Sequence, residues 1–186
     1  IKSGWDCFGI GQGVPSRSIY LRNLTIRSPH AAGICIGSEM SGGVEDVIAR
    51  DIVLHDVGQG LRIKAAKGRG GYVRRVTYSN VTIWSFEEHA IQINDFYGAA
   101  NPTCKGKDAG AVPRISDVAF HDVRAVSSRG SRSSAANFVG LESSPILNVT
   151  LRNVSLPRTS PTGAPVWECH QVEGRSQGVT RLLPNR

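Results

Sequence analysis

No stretch of this sequence is long and apolar enough to cross a membrane, and no basic start precedes an apolar segment. No membrane partner is therefore expected. Aromatic residues are scarce, at 6%, and no long window carries a helical period, which sets helical repeats aside. The four cysteines, Cys7, Cys35, Cys104 and Cys169, lie far apart without a CxxC pair. A zinc site is not expected from that spacing, and the disulfide pairing stays open. Cys35, inside an apolar strand pattern, is expected to be a buried free thiol. Zinc-finger spacing, an RNA-binding aromatic signature and long Lys/Arg runs are also missing, so nucleic acid is not an expected partner.

What the chain does have is glycine, 21 residues of it, and many short runs of Val, Ile and Leu. That composition favours numerous short strands. The formal charge of +7 suits an acidic partner, although a solvated surface accounts for it equally well. The chain opens on Ile1 rather than Met, and it is expected to be part of a longer protein.

A repeat organises the strands. Five segments share an apolar step, an Asn or Asp, then two more alternating apolar positions: 19–26, 47–54, 76–83, 118–126 and 149–156. Their anchors Asn23, Asp51, Asn80, Asp122 and Asn153 are separated by 28, 29, 42 and 31 residues. A second series interleaves, in which Ile36, Ile63 and Ile93 step by 27 and 30. The leucine-rich consensus is not matched, and common propeller blades need about 40 to 45 residues. Periods of this size, holding at least two strands separated by turns, fit the coils of a parallel β-helix. The fold expected is all-β: one right-handed parallel β-helix domain over residues 1–186, N-terminally truncated. An open first coil would expose apolar interior and favour association.

The anchors also create Asn-x-Ser/Thr sequons at Asn23, Asn80, Asn148 and Asn153. Their periodic placement favours coil corners, where Asn and Asp satisfy turn backbone groups, over glycosylation acceptors. The longest spacing marks an inserted loop at about 95–113, rich in Gly, Pro and small polar residues. In solenoids such loops cluster on one face and carry function.

Arg62 and Lys64 are alternates of Leu61 and Ile63 on one short strand. Period two puts both cations on the outward face, roughly 6.5 to 7 Å apart. So placed they can grip a carboxylate, Arg in bidentate fashion; two solvated charges are the plainer reading.

The segments IKSGWD at the start, GICIGSEMSGG at 33–43 and GLRIKAAKGRGG at 60–71 resemble the polygalacturonases, glycoside hydrolase family 28, pectin-lyase-like solenoids. The likeness is to the plant polygalacturonase-like clade, and Trp167-Glu168-Cys169 and Val172-Glu173-Gly174 resemble that clade's C-terminal portion. The resemblance implies inverting hydrolysis of α-1,4-galacturonan in pectin, secretion to the cell wall or extracellular space, no metal or other cofactor, and a monomer at full length. It implies that Arg62 and Lys64 hold a substrate carboxylate, with Tyr97 the matching site tyrosine; an ordinary loop tyrosine is an equally open reading of Tyr97.

The departures from the family pattern are as specific as the matches. The family's catalytic aspartates come from an Asn-Thr-Asp motif and an Asp-Asp pair just before Ile-Lys-Ser-Gly, so they are expected upstream of Ile1. Asp6 lies past that motif and is not a candidate. Ala31-Ala32-Gly33 stands where the family has Gly-His-Gly, so that histidine is absent, with His30 two residues earlier. This chain alone is therefore expected to be inactive. The alternatives are a non-catalytic β-helix that binds acidic polysaccharide and a purely structural solenoid. Lyase chemistry needs calcium-binding acids, and no Asp cluster lies near Arg62.

Overall fold

A computed structural model describes residues 1–98, 110–129, 134–157 and 167–179. After residues 1–3 and a short helix, α1 (Asp6–Gln12), the chain runs through eight strands. These are β1 (Ser16–Gly37), β2 (Val44–Lys64), β3 (Tyr72–Asn94), β4 (Arg114–Ser128), β5 (Ala136–Val139), β6 (Ile146–Ser155), β7 (Trp167–His170) and β8 (Val172–Gln177). Every strand pairing is parallel, in the order β1-β2-β3-β4-β6-β8, with β5 joining β3 to β7. The architecture is a right-handed parallel β-helix, each strand stacked on its equivalent one coil earlier.

The register follows the repeat. Val47, Val76, Val118 and Val149 lie in one column, and all are at most 3% exposed. Alternation sends these valines inward and leaves neighbours such as Arg50 and His121 outside. Aromatic rings continue the filling: Tyr78 stacks on Phe120 at 5.1 Å between centroids, and Phe120 on Phe138 at 6.0 Å. β1 pairs with β2 on one side only among the described residues. Its inward residues Ile19, Leu21, Leu24 and Ile26 are accordingly only partly buried.

The turns differ from expectation. Strands separated by turns were expected within each coil, yet β2 runs unbroken for 21 residues. Its corners are single left-handed residues, Asp46, Asp51 and Asp56, at φ of 56°, 58° and 54°. Asn and Asp tolerate that conformation better than other side-chain-bearing residues, so one such residue bends the strand without interrupting its ladder. Asn23, Asn80, Asp122 and Asn153 turn the same corner at φ between 50° and 54°. Asn80 Nδ2 donates to Asp51 Oδ1 at 2.8 Å, and Asn153 Nδ2 to Asp122 Oδ1 at 2.9 Å. In a second column Asn148 Nδ2 donates to Asp117 Oδ1 at 2.6 Å. Three of the four sequon amides are thus engaged at coil corners.

Two further points extend or correct the sequence reading. α1 was not foreseen; Gly13 ends it in a left-handed conformation, φ 60°, its N–H donating to Gly9 O. Cys7 within it is disulfide-bonded. Cys35 is a free thiol, but it is half-buried on the outward face rather than inside, because Ile34 and Ile36 take the inward positions. Residues 99–109 of the expected loop lie outside the described residues.

Candidate functional site

The outward face of the last segment of each coil carries the candidate site. Leu61 and Ile63 are buried, at 0% and 1% exposure, which fixes Arg62 and Lys64 outward, both half-buried. Cys35 lies beside Arg62 on the preceding coil and Gly37 beside Lys64. A Cβ at Gly37 would stand 2.1 Å from Lys64 O, so this coil can approach only with glycine there. Burial pushes the Cys35 thiol pKa up, while the positive charges of Lys64 and Arg62 oppose the rise.

Tyr97 completes the group. The Arg62 guanidinium carbon lies 5.0 Å from the Tyr97 ring centroid, and Lys64 Nζ lies 4.2 Å from it. One ring therefore covers two cations, within the range of cation–π attraction. The segment after β3 delivers it: Tyr97 N–H donates to Ala65 O at 2.9 Å, and Phe96 bridges to Ala66. All three residues singled out in the sequence are brought together. Among the described residues, neither Arg62 nor Lys64 has a carboxylate within salt-bridge distance, 4.0 Å. Arg62 Nε is buried without a hydrogen-bond partner there. Two half-buried cations with no carboxylate partner among the described residues offer an electrostatic seat for a carboxylate.

The chain's start borders this face. The Ile1 amino nitrogen donates to Cys35 O at 2.7 Å, and Gly37 N–H donates to Ile1 O at 2.9 Å. Residues 1–3 thus run beside Cys35–Glu39, two coils removed from Arg62. Asp6, excluded as a catalytic candidate, is fully buried in an ion pair with Arg69 at 2.8 Å. His30 is exposed, and β1 turns through an irregular register between it and the site strand.

Sequence reasoning missed four polar residues of the same face: Gln92 and Asn94 on β3, Asn137 on β5 and Glu168 on β7. They follow Arg62 and Lys64 in register. The signal was present. The second apolar series stopped at Ile93, but the long coil that adds 42 residues to the first series adds 45 to the second, reaching Phe138.

Residues 1–180 match the family model for glycosyl hydrolases family 28. The chain is 37% identical over 180 residues to a probable polygalacturonase of Vitis vinifera, covering 97% of this chain and 35% of that protein. It is 32% identical over 164 residues to a polygalacturonase of Juniperus ashei, covering 86% and 30% respectively. A crystal structure of a hyperthermoactive exopolygalacturonase from Thermotoga maritima superposes with a TM-score of 0.78 at 27% identity, covering 96% of this chain and 37% of that one. The chain spans about a third of the length of these relatives.

Proposed function

The chain belongs to glycosyl hydrolases family 28, and from that premise we propose that it contributes the carboxylate-gripping part of a cleft that acts on α-1,4-galacturonan. The observation that carries this reading is the pair Arg62 and Lys64, without a carboxylate partner among the described residues, beneath the ring of Tyr97. Galacturonan bears a carboxylate on every sugar. Arg62 offers it a fork of donors and Lys64 a point charge, while Tyr97 narrows the seat and lowers its water content.

Inverting hydrolysis needs a general acid and a general base far enough apart to admit a water molecule, about 6.5 to 9.5 Å. No Asp-Asp pair and no Asn-Thr-Asp motif occurs in the 186 residues. Acids supplied beside Ile1 would reach the same face, because Ile1 sits against Cys35 and Cys35 against Arg62. Taken alone, the chain acts as a binder of acidic polysaccharide. Secretion to the cell wall, where such a substrate lies, belongs to the same reading.

The test is a titration of the 186-residue chain with polygalacturonate at low ionic strength. Arg62→Ala and Lys64→Ala each weaken binding about tenfold or more, as removal of a charge-assisted contact predicts. Added salt weakens the wild-type interaction. Binding unchanged in both variants points instead to a structural solenoid. Release of reducing ends by this chain alone overturns the reading that it binds acidic polysaccharide without cleaving it.

A further inference from the structure

The site's outward row continues past the cations as a chain of hydrogen bonds. Arg62 pairs in register with Gln92, Gln92 with Asn137, and Asn137 with Glu168. Gln92 Nε2 and Asn94 Nδ2 each donate to Asn137 Oδ1 at 3.2 Å. Asn137 Nδ2 donates onward to Glu168 Oε2 at 2.7 Å. At the other end, Phe96 N–H donates to Asn94 Oδ1, also at 2.7 Å.

The ends force the polarity of this chain. A backbone N–H only donates, and an ionised carboxylate only accepts. Two amides between such ends make all three bonds in a single orientation. With Asn137 turned over, its NH2 group would meet that of Asn94 and its oxygen would face the Glu168 carboxylate. Gln92 and Asn137 are 5% and 6% exposed, so water competes little for the bond between them; the bonds to Asn94 and Glu168 are part-buried, and that of the Phe96 N–H is exposed. In that setting a mismatched amide is costly.

The orientation matters at the cleft because Phe96 immediately precedes Tyr97. Asn94 fixes this segment from one side, and the Tyr97 N–H bond to Ala65 O fixes it from the other.

We propose that Glu168 is a positioning residue of the cleft. It lies three coils from Arg62, about 14 Å along the stack. It sets the direction of the amide row, and through Asn137 and Asn94 it holds Tyr97 over Arg62 and Lys64. Its consequence for binding rests on the reading of those cations as a carboxylate grip; its consequence for the Phe96 amide does not.

The test is amide hydrogen exchange at Phe96 in the whole chain, read beside trigalacturonate affinity. Glu168→Leu removes the acceptor from a half-exposed position, and it speeds Phe96 exchange about threefold or more with Ile93 unchanged. Trigalacturonate binding weakens by a similar factor. Glu168→Gln retains an acceptor oxygen at the same reach and restores both readouts towards wild type, which a merely space-filling Glu168 would not require. If Glu168→Leu fails to fold, the donor-only Glu168→Lys takes its place, and it turns Asn137 over with the same effect on Phe96. Unchanged Phe96 exchange in a folded Leu or Lys variant overturns the proposal, as does a Gln variant no better than Leu. Arg62→Ala weakens binding about tenfold or more and leaves Phe96 exchange alone. If the wild-type chain binds no trigalacturonate, the carboxylate grip fails while Phe96 still decides the role of Glu168.

Discussion

Arg69 Nη1 lies 2.8 Å from Asp6 Oδ1, joining α1 to the turn after β2 across 63 residues of sequence. The two side chains are 9% and 0% exposed. Ser41 Oγ accepts from the Asp6 N–H at 2.7 Å, which ties the helix start to the turn after β1 as well. Removing Arg69 takes a 2.8 Å ion-pair partner away from a fully buried carboxylate. Arg69→Ala therefore lowers stability by about 3 to 5 kcal/mol, measured by urea unfolding. Asp6→Asn combined with Arg69→Met costs less than Arg69→Ala alone, because both charges of the buried pair are removed together. A single-variant cost below about 1 kcal/mol removes the pair from the account of how α1 is held.

Tyr78 is placed where its ring is needed and its hydroxyl is not. The ring stacks on Phe120 inside the helix, while the hydroxyl is buried with no partner among the described residues. Burial pushes its phenol well above the ordinary range. Tyr78→Phe keeps the ring and removes an unsatisfied polar atom, so it raises stability by about 1 kcal/mol or more. Thermal unfolding reads the change; a lower melting temperature means the hydroxyl has a partner after all.

The coil stack was legible because its signal is periodic. Each Asn or Asp anchor marks a corner, and the alternation on either side tells inward from outward residues, which placed Arg62 and Lys64 correctly. Tyr97 came from motif resemblance, since a tyrosine at a loop entry has no periodic signature. Asn137 and Glu168 were not found because the inserted loop breaks the spacing of the second series just before them. Cys35 was misread for a different reason. An apolar strand says that some residues face inward, but only the register of Ile34 and Ile36 says which.

Asp95 makes the fold sensitive to pH. It directly follows Asn94, is 1% exposed, and neither carboxylate oxygen has a hydrogen-bond partner among the described residues. Burial pushes its pKa up to about 7, with the Leu141 backbone pulling weakly the other way. Since the folded state binds this proton more tightly than the unfolded chain, stability is full below the unfolded value of about 4 and falls as pH rises towards 7. Asp95→Asn cannot ionise. It is more stable than wild type at pH 8, by an amount of the order of a few kcal/mol, and close to wild type at pH 4. Equal stability at pH 8 means the Asp95 charge is compensated.

The corner column Asn23, Asp51, Asn80, Asp122, Asn153 alternates amide and carboxylate, an order that sets a donor beside each carboxylate. Each carboxylate accepts from the amide on the following coil, as Asp51 does from Asn80 and Asp122 from Asn153. Neighbouring coils are about 4.8 Å apart, close enough for two like charges in the column to repel. Asn80→Asp would place three carboxylates on successive coils and remove the donor that Asp51 uses. It destabilises by about 1 to 2 kcal/mol at neutral pH, an effect that shrinks with added salt and in acid, where carboxylates are neutral. Asn80→Gly loses the same donor but keeps the left-handed φ of 50° at no steric cost. It is therefore the milder change at neutral pH, and the order reverses or closes in acid. Should Asn80→Asp match Asn80→Gly at every pH, repulsion contributes nothing, and the column is held by backbone conformation alone.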